Sequence, residues 1–342
     1  MSTPGDLRDR PVFICGHPKA GTSLLRAVFD SHPQLIVYPE ETVFFRRFLP
    51  RAAGLDLESQ LALADETLIH IFKWRREHPA PSQAGFPDRD YSHIPYEQVR
   101  QAMRNLVGKR YLHPGDILSA AVLAYGQVSG VLTPLTRLWV EKSPYNEYYA
   151  DQIFAWWPEA RCIHILRDPR DNYVSYRRKH PDWQPEFFAA NWSRSTGSGL
   201  AARGRFGAER YLILRYEDLA QSPEATLRQL TNFLHIDWDP SLAAPTRAGA
   251  QWAGNSMFSE QFQGISAAPV ARWRAELSPG DAAVIEYMAR SPMEQFQYAR
   301  GVSGAAALAA RGRALAWPLR RRLRRLSQAA PSLDHKDDRS DE

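Results

Sequence analysis

The sequence Gly-His-Pro-Lys-Ala-Gly-Thr-Ser at residues 16–23 decides which fold this chain can adopt. It follows an apolar run at residues 11–15, which has the length of a buried strand, and it leads into residues 23–31, whose apolar side chains repeat with helical spacing. A helix N-terminus presents free N–H groups and the positive end of the helix dipole, which together suit a bound phosphate. These eight residues therefore predict a phosphate-binding loop between a strand and a helix.

Beyond this loop, the chain continues to alternate between strand and helix patterns. Short apolar runs predict further strands at residues 35–38, 138–140, 161–166 and 211–214. Helical spacing or helix-start signals predict helices at residues 146–157, 168–179, 187–205, 223–234 and 279–290. This order predicts an α/β protein with a P-loop-like parallel β-sheet flanked by helices. Residues 43–135 interrupt the alternation, and we interpret them as a mainly helical insertion after the second strand.

The charge of the chain is concentrated at its C-terminal end. Residues 301–342 carry nine Lys or Arg and five Asp or Glu, which is +4 of the total net charge of +5. The domain that we predict over residues 1–300 is therefore near neutral, and no nucleic-acid partner is expected. Seven arginines between Arg311 and Arg325 would allow a weak contact with an anionic membrane surface. We favour a solvated, partly disordered tail that is basic first and acidic at its end.

The cysteines, the histidines and the N-terminus narrow the class of protein further. Cys15 and Cys162 both lie in apolar runs, and two such residues form neither a disulfide framework nor a zinc site. The histidines include no His-Glu-x-x-His pattern, so no metal is expected. Residues 1–10 lack the apolar core of a signal peptide, and no run of about eighteen apolar residues could span a membrane. We therefore expect a cytoplasmic protein with reduced thiols.

The phosphate-binding loop differs from the Walker A motif of P-loop nucleotidases. That motif places a lysine directly after its second glycine, whereas Thr22 follows Gly21 here and Lys19 lies two positions before it. The strand that should end in the Walker B acid ends instead in Arg167. These differences argue against a magnesium-dependent kinase or NTPase, which remains an alternative. A non-enzymatic nucleotide-binding scaffold is the other alternative.

A second anion-binding signal begins at the same strand end. Asp168 suits the N-cap of the next helix and Pro169 suits its first position. Arg167 and Ser175, which lies about two turns into that helix, offer a guanidinium and a hydroxyl for a second phosphate. The alternative is that Asp168 and Pro169 only start a helix while Arg167 forms a surface ion pair.

Several segments together resemble the sulfotransferases that use 3'-phosphoadenosine 5'-phosphosulfate (PAPS). The chain is most similar to the branch that contains tyrosylprotein and heparan sulfotransferases and many bacterial members. The matching segments, in the order of the family, are PKAGTSLL at 18–25, SHP at 31–33, PEET at 39–42, EKSP at 141–144, LRDPRD at 166–171 with Ser175, and LRYEDL at 214–219. Each segment is modest alone, but six in order are specific. The Arg-Lys-Gly triplet of the cytosolic members is absent.

The resemblance implies PAPS as the co-substrate and assigns its contacts by position. The loop residues that would hold the 5'-phosphosulfate are Lys19, Ala20, Gly21, Thr22 and Ser23. The other implied contacts are Arg167 and Ser175 for the 3'-phosphate, Tyr216 near the adenine, and Ser266 and Arg272 in a late loop that closes over the nucleotide.

The resemblance also implies in-line transfer of a sulfuryl group to a hydroxyl or amine. Lys19 and Lys142 would stabilise the bridging oxygen of the leaving nucleotide, and Glu41 would act as the base that takes the acceptor proton. Glu40 is an alternative base, since one extra residue precedes it relative to the tyrosylprotein branch, and paired carboxylates can also be plain solvated loop charge. Cytosolic members use a histidine, for which His70, His93 and His113 lie in the right region.

The acceptor itself is not specified by any motif. The insertion holds aromatic residues that suit a carbohydrate, phenol, lipid or peptide acceptor and equally suit a core, namely Trp74, Tyr91, Tyr96, Tyr111 and Tyr125.

Overall fold

The computed structural model describes residues 6–87, 89–254, 258 and 264–328, with side chains as far as residue 317. The chain forms two compact units. The first contains residues 1–168 and 195–270, and the second contains residues 169–194 and 271–342. The boundary predicted at residue 300 lies inside the second unit and stays a prediction.

The first unit is built on a five-stranded parallel sheet, as the sequence predicts. Its strands are β1 (Pro11–Cys15), β2 (Leu35–Val37), β3 (Leu138–Lys142), β4 (Arg161–Leu166) and β5 (Tyr211–Arg215), in the order β2-β3-β1-β4-β5. Parallel neighbours need crossover connections, and the intervening helices supply them on both faces of the sheet. This is why every residue of β1 is buried. A separate hairpin pairs β6 (Thr246–Arg247) with β7 (Ala250–Gln251).

The helices of the described residues follow the predicted pattern closely. The α-helices are α1 (Thr22–Phe29), α2 (Leu49–Ala52), α3 (Leu57–Thr67), α4 (Tyr96–Lys109), α5 (Gly115–Val128), α6 (Ala150–Trp156), α7 (Pro169–Lys179), α8 (Pro185–Phe206), α9 (Tyr216–Gln221), α10 (Pro223–Leu234), α11 (Trp273–Glu276), α12 (Pro279–Met288), α13 (Arg290–Gln295) and α14 (Ala305–Gln328). Shorter helical turns are Leu7–Asp9, Phe44–Phe48, His70–Lys73, Pro81–Gln83, Asn146–Tyr149 and Pro240–Ala243. The helix predicted at residues 146–157 is therefore a 3₁₀ turn followed by α6.

Two hydrophobic cores lie on the two faces of the sheet, because successive residues of a strand point to opposite faces. Phe13 and Cys15 belong to the core that contains the buried residues of α3, α4 and α5, which are the helices of the predicted insertion. Val12 and Ile14 belong to the core that contains the buried residues of α1 and α10. The insertion therefore covers one face of the sheet, and the helix that follows the phosphate-binding loop covers the other.

The second unit is helical and is held by buried charged groups. The guanidinium of Arg170 on α7 donates to Glu286 on α12 at 2.5 Å and lies 3.9 Å from the ring centroid of Trp273. Asp171 accepts hydrogen bonds of 2.7 Å from the backbone amides of Ala271 and Trp273. These bonds fix the start of α11 on α7.

The basic tail differs from the solvated segment that the sequence favours. Its helix α14 packs on α12, with Ala310 buried against it. Arg313 pairs with Glu186 at 3.1 Å and with Asp281 at 3.3 Å. The small side chain of Ala310 lets the two helices approach closely, and the ion pairs hold the first half of α14 in place. The acidic end of the tail lies outside the described residues.

Two glycines of α8 provide a matched test of how that helix packs on the sheet. A Cβ at Gly199 would lie 2.7 Å from Cε1 of the buried His164 ring, whereas a Cβ at Gly204 would meet nothing within 4 Å. Both positions gain about 1 kcal/mol of helix propensity on substitution by alanine. We expect Gly204→Ala to raise the free energy of unfolding in urea by that amount. Gly199→Ala should lower it by about 1–2 kcal/mol, because the overlap outweighs the gain.

The overlap would also displace His164 from its 3.1 Å hydrogen bond with the hydroxyl of Tyr211. Equal effects of the two substitutions on the free energy of unfolding would contradict this packing.

Candidate active site

The phosphate-binding loop joins the end of β1 to the start of α1 in a conformation that requires glycine at two positions. Gly16 has a φ of 135°, and a Cβ there would overlap the carbonyl oxygen of Ile165. Gly21 has a φ of 109°, and a Cβ there would lie 2.6 Å from Cδ2 of Tyr216. The loop is therefore packed against the end of β4 and against the first residue after β5. This close packing brings the loop backbone beside Tyr216, the residue predicted to line the nucleotide site.

Three residues in the loops that follow β1, β2 and β3 have left-handed backbone conformations. They are Lys19, Val43 and Tyr145, with φ values of 65°, 48° and 70°. This conformation is rare for residues other than glycine, and rarest for β-branched residues such as valine. Backbone strain of this kind, which costs about 1–3 kcal/mol per residue, concentrates at functional sites. The carboxyl edge of the sheet is therefore the candidate active site.

Glu41, Lys142 and Ser23 form a hydrogen-bonded chain at this edge. Lys142 is the last residue of β3, and its side chain is only 3% exposed. Its ammonium group donates to the carboxylate of Glu41 and, over 3.2 Å, to the hydroxyl of Ser23 in α1. The side chain of Glu41 is 32% exposed. The predicted base, the predicted second cation and the phosphate-binding loop are thus in direct contact, and the base is half-buried.

The ion pair controls the charge of Glu41. Burial by itself would raise the pKa of this carboxyl, but the Lys142 ammonium, helped by Arg46 and Arg89, more than offsets that effect, and the pKa is lowered from 4.5. Burial lowers the pKa of Lys142, an effect that Glu41 opposes and Arg26 reinforces. Glu41 is therefore ionised at neutral pH, as a general base must be.

Glu40, the alternative base, has other partners. Its carboxylate accepts from the guanidinium of Arg89 and, at 2.5 Å, from the hydroxyl of Tyr91. Glu40 is 7% exposed and Tyr91 is 2% exposed. Glu40 therefore anchors the long loop of the insertion to the end of β2, and Glu41 is left to face Lys142.

The aromatic side chains of the insertion mainly fill the core. Trp74, Tyr91 and Tyr125 are buried in the cluster beneath the sheet, and Tyr96 and Tyr111 are half-buried against it. The sequence allows these aromatic residues either to bind an acceptor or to pack in a core, and the structure supports core packing.

The three candidate histidines do not form the contact with Lys142 that Glu41 forms. His70 lies edge-on against Trp74, and burial lowers its pKa to about 4. His113 stacks on Trp156 with 5.0 Å between ring centroids, and His93 is exposed. The geometry favours Glu41 over these residues as the base.

Glu141 joins the loops that follow β2 and β3, a role that the sequence analysis does not identify. The buried carboxylate of Glu141 accepts hydrogen bonds from the hydroxyls of Thr42 at 2.7 Å and Ser143 at 2.6 Å, and from the amide group of Asn146 at 2.7 Å. Ser143 in turn accepts from the backbone amide of Val43 at 2.9 Å. Burial raises the pKa of Glu141. The available signal was the run of polar residues directly after a buried strand.

Arg167 and Tyr216 lie together where β4 and β5 end. The guanidinium of Arg167 is 4.7 Å from the ring centroid of Tyr216 and donates to the carbonyl oxygen of Pro269 at 2.7 Å. The hydroxyl of Tyr216 reaches the carbonyl oxygen of Ser266 at 3.5 Å. Arg167 is buried, which argues against the alternative of a surface ion pair. Part of the predicted late loop therefore contacts two of the predicted nucleotide-binding residues.

The other two predicted contacts belong to the second unit. Ser175 lies on α7, where it is buried, and Arg272 directly precedes α11. Their assignment to the nucleotide stays a prediction.

In the described part of the chain, no three His, Cys, Asp or Glu side chains are grouped so that they could hold a metal ion. Among the same residues, no helix combines the length and the apolar character needed to cross a membrane.

The fold and the site together define a P-loop-like α/β protein with Lys19 in its glycine-containing loop, Lys142 in contact with Ser23 of that loop, and Arg167 beside Tyr216. Residues 11–240 match the sulfotransferase family, and the chain belongs to that family.

Two curated relatives show how far this similarity extends. Protein-tyrosine sulfotransferase A of Caenorhabditis elegans is 25% identical over 234 residues, which are 67% of this chain and 50% of the relative. Omega-hydroxy-beta-dihydromenaquinone-9 sulfotransferase Stf3 of Mycobacterium tuberculosis is 28% identical over 259 residues, which are 67% of this chain and 64% of the relative. The chain thus spans about half to two thirds of these relatives.

Two solved structures share the fold. The sulfotransferase domain of the olefin synthase from Synechococcus PCC 7002 superposes with a TM-score of 0.55 at 23% identity, covering 87% of this chain and 98% of that domain. The sulfotransferase domain from the curacin biosynthetic pathway gives a TM-score of 0.54 at 21% identity, covering 85% of this chain and 98% of that domain. The P-loop-like fold predicted from the sequence is confirmed.

Removing the positive charge of Lys142 should reverse the pKa shift of Glu41. In Lys142→Met, burial would no longer be offset by the ammonium group, so we expect the pKa of Glu41 to lie above its ordinary value of 4.5 instead of below it. Nuclear magnetic resonance of protein labelled with carbon-13 at the glutamate carboxyl carbons would measure both titrations. An unchanged pKa in the variant would show that the ion pair does not set the charge of Glu41.

Proposed function

We propose that this protein transfers the sulfuryl group of PAPS to a hydroxyl or amine acceptor. The observation that carries the proposal is the contact of Lys142 with both the Glu41 carboxylate and the Ser23 hydroxyl. This contact joins a candidate base, a cation and the phosphate-binding loop at one edge of the sheet. Membership of the sulfotransferase family supports the same conclusion.

The proposed step is an in-line displacement at sulfur. The acceptor oxygen or nitrogen forms a bond to sulfur while the bond between sulfur and the 5'-phosphate oxygen breaks, and that oxygen leaves with the bonding electrons. Glu41 takes the acceptor proton as general base. Lys142 and Lys19 stabilise the negative charge that develops on the leaving oxygen. Because this chemistry resembles phosphoryl transfer, positioning and charge stabilisation supply most of the catalysis.

The nucleotide contacts are part of the same proposal. Lys19, Ala20, Gly21, Thr22 and Ser23 would hold the phosphosulfate, where the loop backbone leaves no room for a side chain at Gly21. Arg167 would hold the 3'-phosphate, with Tyr216 and Ser266 beside the nucleotide. The contacts of Ser175 and Arg272 with the nucleotide stay predictions from the sequence. The pairing of Arg167 with Tyr216 supports this arrangement within the first unit.

The proposal names the acceptor only by chemical class, as a carbohydrate, phenol, lipid or peptide. The names of the two relatives specify a protein tyrosine and an omega-hydroxy menaquinone, which favours a hydroxyl over an amine. A screen with a labelled sulfate donor over acceptors of the four classes would identify the substrate.

We also propose a cytoplasmic location, together with weak membrane contact through the tail. Cys15 and Cys162 are buried and form no disulfide, as is usual where thiols stay reduced. Leu308 and Leu315, seven positions apart on α14, are 74% and 66% exposed within an arginine-rich segment. Such a helix face suits an anionic membrane surface.

Ligand preference separates this proposal from a kinase or NTPase. We expect PAPS without metal to raise the melting temperature, and we expect ATP with magnesium to raise it less, because Arg167 offers a second anion site that ATP does not need. Thermal shift measurements with both ligands test this. Stabilisation by ATP with magnesium alone would favour the kinase alternative.

Substitution of the adjacent glutamates should separate catalysis from anchoring. Glu41→Gln should lower kcat by about 10²–10⁴-fold, the usual contribution of a general base. Glu40→Gln should keep most of kcat but lower the free energy of unfolding by roughly 3 kcal/mol, because it leaves the partly buried Arg89 without its ion partner. Steady-state kinetics with an identified acceptor and urea unfolding provide the two measurements. The reverse pattern would assign the base to Glu40.

A further inference from the structure

A buried carboxylate lies directly beneath the start of the phosphate-binding loop. Glu147, in the 3₁₀ turn after β3, is 2% exposed. Its Oε2 accepts a hydrogen bond of 2.9 Å from the backbone amide of Gly16, and its Oε1 accepts from the hydroxyl of Ser195 on α8. The carboxylate thus bonds through Oε2 to the first peptide group of the loop and through Oε1 to a side chain of α8.

Residues 145–147 form hydrogen bonds with both polar backbone atoms of Gly16. While Glu147 takes its N–H, the carbonyl oxygen of Gly16 accepts a hydrogen bond of 3.1 Å from the backbone amide of Tyr145. Gly16 also has no room for a side chain against Ile165. The direction in which the loop leaves β1 is therefore set by the segment that directly follows the Glu-Lys-Ser-Pro sequence.

The charge of Glu147 is finely balanced. Burial raises the pKa of this carboxyl to about 7, although the Ser195 hydroxyl, the Gly16 amide and the more distant Arg46 lower it. The titratable groups that face it from the sheet are Cys15 on β1 and Tyr211 on β5, whose own pKa values burial raises. Arg46 is the positive group that acts on it from the 44–48 turn. Near neutral pH the carboxyl is therefore divided between its two protonation states.

We propose that Glu147 is a positioning residue that fixes the first peptide group of the phosphate-binding loop and takes up a proton when an anionic nucleotide binds there. An anion at the loop disfavours a second negative charge behind it, so binding and protonation of Glu147 favour each other. The inference deepens the proposed function, on which it rests for the identity of the nucleotide.

Two substitutions separate the effect of the length of the Glu147 side chain from the effect of its ionisation. Glu147→Gln keeps an oxygen that can accept from Gly16 but cannot titrate, whereas Glu147→Asp can titrate but is one methylene too short. We expect Glu147→Asp to lower kcat/KM for PAPS by roughly tenfold or more, because a misplaced loop misaligns the reacting groups. Glu147→Gln should retain most of it. Full activity in Glu147→Asp would overturn the positioning role.

Calorimetry tests whether Glu147 takes up a proton when the nucleotide binds. Binding of 3'-phosphoadenosine 5'-phosphate at pH 7, measured in buffers of different ionisation enthalpy, should take up more protons in the wild type than in Glu147→Gln. The difference can reach about half a proton, because a group with a pKa of about 7 is about half ionised there before the ligand binds. Equal uptake in the two proteins would overturn the inference while leaving the proposed function intact. Absence of binding to the wild type would count against both.

A measurement without ligand tests the buried proton independently. Because the folded pKa of Glu147 lies above the ordinary value of 4.5, the unfolded chain ionises first, and this group lowers stability progressively as the pH rises from about 4.5 to 7. Urea unfolding over this range should show that Glu147→Gln lacks this decline. Parallel pH profiles of the two proteins would show that Glu147 does not titrate as proposed.

Discussion

The buried ammonium group of Lys142 needs a negative partner, and the arrangement of the site follows from how that partner is supplied. Charged groups taken out of water are tolerated when they are paired and hydrogen-bonded. Lys142, at the end of β3, obtains the Glu41 carboxylate from the loop after β2 and the Ser23 hydroxyl from the helix after β1. One desolvated charge thus draws together the segments that follow three strands of the sheet.

Two further buried carboxylates fix those segments through hydrogen bonds. Glu141 accepts hydrogen bonds from hydroxyl and amide donors in the loops after β2 and β3. Glu147 accepts one from the backbone amide of Gly16 at the end of β1. The left-handed conformations of Lys19, Val43 and Tyr145 occur in these same three loops. A backbone held at several points by buried hydrogen bonds can retain strained conformations that an isolated loop would lose.

The sequence predicts most of this fold and only part of its site. The strands, the crossover helices and the insertion are readable because strand and helix periodicities, glycines and prolines are local signals. The pairing of Glu41 with Lys142 joins residues 101 positions apart, and periodicity carries no information about such contacts. Family resemblance singled out Glu41, Lys142 and Arg167, which the structure places at or after the ends of strands, and their roles stay predictions. It gave no indication of Glu147, whose importance depends on a backbone amide 131 positions earlier.

The strand order β2-β3-β1-β4-β5 has a consequence for how such a protein can change over time. The insertion leaves β2 and returns at β3, both on one side of β1, whereas Arg167 and Tyr216 follow β4 and β5 on the other side. Lengthening the loops of the insertion therefore leaves the order of the strands that precede Arg167 and Tyr216 unchanged. Sequence change can accumulate in this one continuous segment while the strand ends that carry the proposed donor contacts are inherited.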